Sequence, residues 1–228
     1  MAPIALILGS GPRVGSAVAK SFANAGYSIA IAARKGTDAK TDEGYYSIRA
    51  DFADPSSMPG VFHTVVSIFG APPSVVVYNA ASLTPPANEK LLLSIPAARV
   101  GHDLNVDTVS PYVAAQEALK GWESLPIGLK LFIYTGNAQN KLVLPIPMML
   151  DLGMGKAASA YWIGQADGAY EARGYRFIYA DERTEEGKLK GMTLDGHAHG
   201  EFYTQLAKSS EGIPWNATFV KGKGYVAF

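Results

Sequence analysis

Short, near-continuous apolar runs alternate along the chain with longer stretches whose apolar residues recur at helical spacing. The runs that read as strands are Ile4–Leu8, Ser28–Ala32, Tyr45–Ile48, Val75–Tyr78, Leu129–Tyr134 and Tyr175–Tyr179, with a last pair near Ala217–Val220 and Tyr225–Phe228. Helical patterns cover Gly15–Ala25, Ser56–Phe69, Ile95–Trp122, Gly155–Ala172 and Gly200–Ser209. Apolar runs such as the one around Ser74–Val77 belong to strands buried on both faces, which parallel sheets under helices require. Strand–helix alternation then predicts an α/β, Rossmann-like doubly wound fold: a single domain, residues 1–228, with a mostly parallel seven-stranded sheet and helices on both faces. Two irregular stretches, Asn140–Gly153 and Asp181–His199, each follow a strand's carboxyl end, where such sheets bind ligands.

The first of these strands leads into Gly9-Ser10-Gly11-Pro12-Arg13-Val14-Gly15 and then an amphipathic helix. Strand, glycine turn and helix in this order form a dinucleotide site: glycines allow close backbone approach, and the helix start offers free N–H groups to a pyrophosphate. A cation at Arg13 opposes the helix dipole and calls for an anion nearby. The second strand ends in Ala33-Arg34-Lys35, with no acid to hold ribose hydroxyls. Arg13, Arg34 and Lys35 together suit the 2′-phosphate of NADP(H).

Composition narrows the alternatives. A formal net charge of zero gives no field for nucleic acid or anionic membrane, and the absence of cysteine excludes disulfides, zinc–thiolate sites and thiol chemistry. With 48% hydrophobic and 18% charged residues the chain is a globular domain rather than a disordered one. No apolar run reaches membrane-spanning length and no basic, apolar leader precedes the first strand, so a cytoplasmic protein with a small-molecule substrate is expected.

The order of motifs resembles the short-chain dehydrogenase/reductase family from the first strand through Lys156. Gly9 and Gly15 hold the outer places of that family's glycine loop, with Arg13 in place of the middle glycine. The resemblance assigns cofactor binding to Gly9, Ser10, Gly11, Arg13, Val14, Gly15, Arg34, Lys35, to Asp51 and Phe52 near the adenine, to Asn79, Ala80 and Ala81 in Tyr78-Asn79-Ala80-Ala81-Ser82, and to Lys156 at the nicotinamide ribose. It makes Asn105 a helix residue whose local distortion positions an active-site water, and it implies a homodimer or homotetramer. Pro111 should kink the same helix, since it lacks a donor N–H.

At the catalytic end the pattern breaks. Four residues before Lys156, where the family carries its tyrosine acid, stands Leu152, which cannot exchange a proton. Thr135 offers a hydroxyl where the family has serine. The chain therefore resembles a divergent branch lacking the catalytic tyrosine of Tyr-x-x-x-Lys. Replacement proton donors include Asp151, if it points inward rather than capping its helix, and His197 and His199 in the lid region near 181–209. Tyr161 falls off the lysine's face and is expected in the core. Asp195, His197, His199 and Glu201 alternate as metal ligands might, but Gly196 and Gly200 break the strand that would aim them together, so no metal is assigned; a cap and turn before a helix is the plainer reading. Function stays open between an NADPH-dependent reductase of a small carbonyl, imine or activated alkene with an atypical proton donor, a catalytically inactive NADP(H)-binding sensor, and a non-redox use of the fold.

Overall fold

The computed structural model describes residues 2–228. Strands β1 (Ile4–Leu8), β2 (Ser28–Ala33), β3 (Ala39–Lys40), β4 (Tyr46–Arg49), β5 (Val75–Tyr78), β6 (Lys130–Thr135), β7 (Tyr175–Arg183), β8 (Asn216–Val220) and β9 (Gly224–Tyr225) form one sheet in the order β3, β4, β2, β1, β5, β6, β7, β8, β9. Every pairing from β4 to β8 is parallel; β3 and β9 close the two edges antiparallel. The expected seven-stranded sheet is thus corrected to nine. Strand β3, two exposed residues long, lacks the length that makes an apolar run legible.

Period-two alternation divides the core. Leu6 and Leu8 of β1 face one layer with Phe62, Trp122, Phe132 and Phe177, whereas Ala5 and Ile7 face the other with Val18, Phe22, Phe202 and Tyr203. The first layer is covered by α2 (Met58–Phe69), α4 (Ser110–Trp122) and α5 (Leu150–Tyr170); the second by α1 (Val14–Asn24) and α6 (Gly196–Lys208), which pack on each other. Burial on both faces explains why β1, β5 and β6 are apolar throughout.

The helix expected over Ile95–Trp122 is interrupted. Helix α3 (Ala97–Leu104) passes into a π turn, Asn105–Val109, before α4 begins. Pro111 sits in the first turn of α4, where its missing N–H has little consequence, so the irregularity is a π turn rather than a proline kink. The lysine helix also starts earlier than its sequence pattern, at Leu150 rather than Gly155, and the last helix starts at Gly196 rather than Gly200. Among the described residues no helix is long and apolar enough to cross a membrane.

Trp122 closes the end of α4. It is buried, donates its indole N–H to the Pro73 carbonyl at 2.9 Å and packs edge-on against Tyr175 at 5.2 Å between ring centres. Replacing Trp122 with Ala should lower stability by about 3–5 kcal/mol through the cavity and the orphaned carbonyl. Urea denaturation should show a reduced midpoint; an unchanged midpoint would mean that neighbouring side chains repack into the cavity.

Candidate active site

The sheet order reverses between β2 and β5, on either side of β1. A groove of about 290 Å³ opens there, at the carboxyl ends of the strands. Its walls are Gly9, Ser10 and Gly11 after β1, Ala33 and Arg34 after β2, Asp51 and Phe52 after β4, Asn79 to Ser82 after β5, and His102 and Val106 from the α3 segment. A larger hollow of about 640 Å³ lies between the end of α6 and β9, away from the strand ends, and holds none of these groups.

The glycine turn is fixed by a close approach. A Cβ on Gly9 would stand 2.4 Å from the Ala80 nitrogen, and one on Gly15 would stand 2.4 Å from the Gly9 carbonyl oxygen. Asn79 donates its side-chain N–H to that carbonyl at 2.8 Å and its backbone N–H to Leu8 at 2.7 Å. Helix α1 begins without a side-chain cap or an acidic residue in its first turn, and Gly11 faces open space. An uncapped helix start beside an open glycine suits an anionic group such as a pyrophosphate.

Below the groove, the π turn leaves carbonyls out of helical register, and buried hydroxyls receive them. Tyr78 donates to the Val106 carbonyl at 2.6 Å; Tyr134 and Ser159 both donate to the Asp107 carbonyl, at 2.8 and 2.7 Å. Asn105 donates its amide N–H to the Ala53 carbonyl at 3.0 Å, tying the turn to the loop after β4. Lys156 is buried, donates from Nζ to the Thr135 carbonyl at 2.8 Å and lies 4.4 Å from the centre of the Tyr134 ring. Burial lowers its pKa to about 8, against the opposing pull of Asp107 and Asp181.

Three carboxylates gather nearby. Asp107 approaches α5 so closely that a Cβ on Gly155 would meet its own Cβ at 2.4 Å. Burial raises its pKa to about 7, with Lys156 acting in the opposite direction. Asp151 points inward from the first turn of α5, accepting from the Thr84 and Leu152 N–H groups at 2.8 Å each; its pKa is raised by burial and by its hydrogen bond to Asp103. Burial works against ionising Asp103 too, but hydrogen bonds from the Ser82 and Thr84 hydroxyls outweigh it and hold that carboxyl below its ordinary range.

No family model matches the chain. A relative, the short chain dehydrogenase/reductase dmxR12 of Cryptosporiopsis sp. (strain 8999), is 40% identical across 99% of this chain and 95% of its own length. The chain belongs to the short-chain dehydrogenase/reductase family. It is an oxidoreductase by that membership. Two solved structures share the fold at low identity. A 3-ketoacyl-(acyl-carrier-protein) reductase from Brucella melitensis complexed with NADH gives a TM-score of 0.80 at 17% identity, covering 96% of this chain and 97% of its own. A metagenomic short-chain oxidoreductase in complex with NADP gives 0.76 at 14% identity, covering 96% of each.

Several residues singled out from sequence lie elsewhere than expected. Arg13 is not on the groove: its guanidinium donates to the Met192 carbonyl at 3.0 Å. Lys35 is exposed and also absent from the groove wall. The Thr135 hydroxyl is taken by Tyr203, which donates to it at 2.9 Å, so it faces the α6 layer. His197 is exposed on α6, 3.4 Å from Glu201, and His199 is fully buried against Phe219, its Nδ1 at 2.7 Å from the Asp195 carbonyl. Neither histidine reaches the groove, because α6 packs on the opposite side of the sheet from α5. Asp195 caps α6 by accepting from the Ala198 N–H, and no group of three or more metal-ligating side chains converges among the described residues. Tyr161, expected in the core, is 73% exposed.

The sequence reading missed Ser82, Asp103 and Asp107 as site residues. Asp103 and Asp107, four apart on a helical stretch that also carries Asn105, were the available signal. Because the Asp107 carboxyl holds its proton more tightly folded than its ordinary 3.8, its contribution to stability is present below pH 3.8 and falls as pH rises to about 7. Asp107→Asn removes that fall. The melting temperature of the variant minus that of the wild type should therefore increase between pH ~4 and ~7; a flat or declining difference in thermal melts would mean that Asp107 is ionised throughout.

Proposed function

We propose that the protein is an NADPH-dependent reductase of a small carbonyl, imine or activated alkene, working without the family's tyrosine acid. The carrying observation is the groove and its order of groups. Arg34, Asp51 and Phe52 stand at the ends of β2 and β4, the uncapped start of α1 and the glycine turn come next, and Ser82 and His102 complete the wall. Solved relatives hold NADH in one case and NADP in another, so the fold leaves the choice of coenzyme open. The residues at the end of β2 support NADPH: an exposed arginine, with no carboxylate, favours a 2′-phosphate over free ribose hydroxyls. With Arg13 turned to Met192, this recognition falls to Arg34 rather than to a three-cation cluster.

When bound, the nicotinamide supplies a hydride. The chain's own contribution is placement and charge. Asn79 and Gly9 keep the turn rigid, Asn105 fixes the π turn, and Lys156 is positioned to hold a ribose hydroxyl by exchanging its bond to the Thr135 carbonyl. Leu152, buried where tyrosine stands in the family, cannot exchange a proton and leaves protonation to another group. Residues 181–209 form the substrate lid in this reading. Exposed Val109, Tyr112, Met154 and Tyr161 on the α4 and α5 side support a homodimer or homotetramer.

Isothermal calorimetry and a carbonyl and imine panel test the assignment. NADPH should bind more tightly than NADH, and the panel should show NADPH oxidation. Arg34→Ala should weaken NADPH by roughly 10- to 100-fold, the worth of a charged hydrogen bond, while NADH changes little. Equal affinity for both coenzymes would defeat the NADPH assignment, and tight binding without turnover across the panel would favour a sensor.

A further inference from the structure

Ser82 lines the groove and donates its hydroxyl to Asp103 Oδ1 at 2.5 Å. Thr84 joins two acids: its hydroxyl donates to Asp103 Oδ2 at 2.5 Å, and its N–H to Asp151 Oδ2 at 2.8 Å. Asp103 and Asp151 are both fully buried and are bridged by Thr84, which donates to each. Two buried like charges held this close repel, so the pair keeps one proton between them. His102 places Nδ1 3.0 Å from Asp103 Oδ1, lines the groove, and leaves 38% of its side chain in solvent. A continuous path thus runs from water through His102 and the acid pair to a hydroxyl on the groove.

A second observation points the same way. Asp107 accepts from the Ser82 N–H at 3.2 Å through Oδ1, while its Oδ2 is buried with no hydrogen-bond partner. A buried carboxylate oxygen without a donor is costly unless it takes a proton or a donor during function. The groups facing the acid pair are His102 on α3, Asp107 on the π turn, and Ser82 and Thr84 on the loop after β5; Lys156 on α5 acts on Asp107.

We propose that Ser82, backed by the Asp103–Asp151 pair, delivers the proton to the substrate, and that His102 refills the pair from solvent. The assignment rests on the reductase reading above. In the reductive direction, the carbon of a C=X bond gains hydride and X keeps the electron pair of the broken π bond. The Ser82 O–H bond then breaks as X–H forms, and the serine oxygen takes the proton shared by Asp103 and Asp151. The pair, left doubly charged, recovers a proton from the His102 imidazolium or from water through it. One hydride and one proton have been added, and the only reductant is the reduced nicotinamide. This accounts for Leu152: with a hydroxyl supplied from the loop after β5, a tyrosine on α5 is dispensable.

The test has one readout that needs no turnover and one that does. Infrared difference spectra of the purified protein at about pH 8, some four units above an ordinary carboxyl, should show the C=O band of a protonated carboxyl. Asp151→Asn should abolish it and Asp107→Asn should retain it. Benzil reduction, followed by loss of NADPH absorbance, should fall on the order of 100-fold or more in kcat for Ser82→Ala and Asp103→Asn. Ser82→Thr should restore most of it, and His102→Ala should shift the pH profile of kcat while calorimetric NADPH affinity holds. Circular dichroism melts identify any variant that fails to fold, in which case Thr84→Val, which removes only the bridging hydroxyl, replaces it. A wild type without the carboxyl band, or a Ser82→Ala variant with wild-type kcat and pH profile, overturns the relay. Should the wild type bind NADPH, show the band and reduce neither benzil nor any compound of the panel, the reductase reading fails and takes the substrate-facing role of Ser82 with it.

Discussion

Everything at the mouth of the groove depends on two backbones lying in contact, the turn after β1 and the turn after β5. There is no room for a Cβ on Gly9 against Ala80, nor for one on Gly15 against the Gly9 carbonyl. Asn79 staples the two turns with its side-chain and backbone N–H groups. This contact sets where α1 starts, and α1 starts with no side chain spent on its cap. Its first N–H groups are therefore available to a ligand anion, a state that a Ser or Asp cap would have abolished. The nucleotide end of the site is a product of backbone geometry more than of side-chain chemistry.

The chemical end is built from buried charge, and the fold organises around that difficulty. Lys156, Asp103, Asp107, Asp151 and Asp181 are all buried within reach of α5 and the strand ends. Each unpaired buried charge would cost several kcal/mol, so partners must be supplied. Hydroxyls supply most of them: Ser82 and Thr84 serve Asp103, and Tyr78, Tyr134 and Ser159 absorb the carbonyls that the π turn releases. Asp181 has Arg183 at 2.6 Å. Asp107 is the exception, with one oxygen served and one not. A site that satisfies nearly every buried group and leaves one carboxylate oxygen bare has concentrated its strain beside Lys156. That is where a redox enzyme needs charge to move.

How much of this was legible in sequence follows from which interactions are local. β1, β5 and the start of α1 were read almost to the residue, because apolar runs and a glycine turn report local geometry. The motifs at Asp51–Phe52 and Asn79–Ala81 sit on the groove as the family resemblance implied, and Asn105 opens an irregular turn. What the sequence hid is nonlocal. Arg13 was assigned to a phosphate, and nothing in the sequence shows that its guanidinium donates to the Met192 carbonyl. Asp195, His197 and His199 looked like alternating ligands, but helical geometry turns His197 to solvent and His199 into the core. The start of α5 was misplaced because the irregular stretch was carried through Gly153, whereas the helix begins at Leu150; Gly155 within it lets Asp107 in. Tyr161 followed from a true premise, that it lies off the lysine's face, to a false conclusion, since the opposite face is solvent.

The region from 181 to 209 obeys the same nonlocal logic. β7 runs nine residues, well past its neighbours' apolar segments, and ends in Asp181, Glu182 and Arg183, all buried. Glu182 accepts from the Asp195 N–H at 2.8 Å, and Asp195 in turn caps α6 and pairs with Lys221. Gly196 and Gly200 bring α6 against α1 so closely that a Cβ on either would collide with Arg13, Ala17 or Ser21. The start of α6 is therefore fixed to the helix that begins at the groove. The stretch between Arg183 and Asp195 includes Met192, whose carbonyl accepts from Arg13. The cation that sequence reading gave to the coenzyme thus also ties the glycine turn to the segment joining β7 and α6.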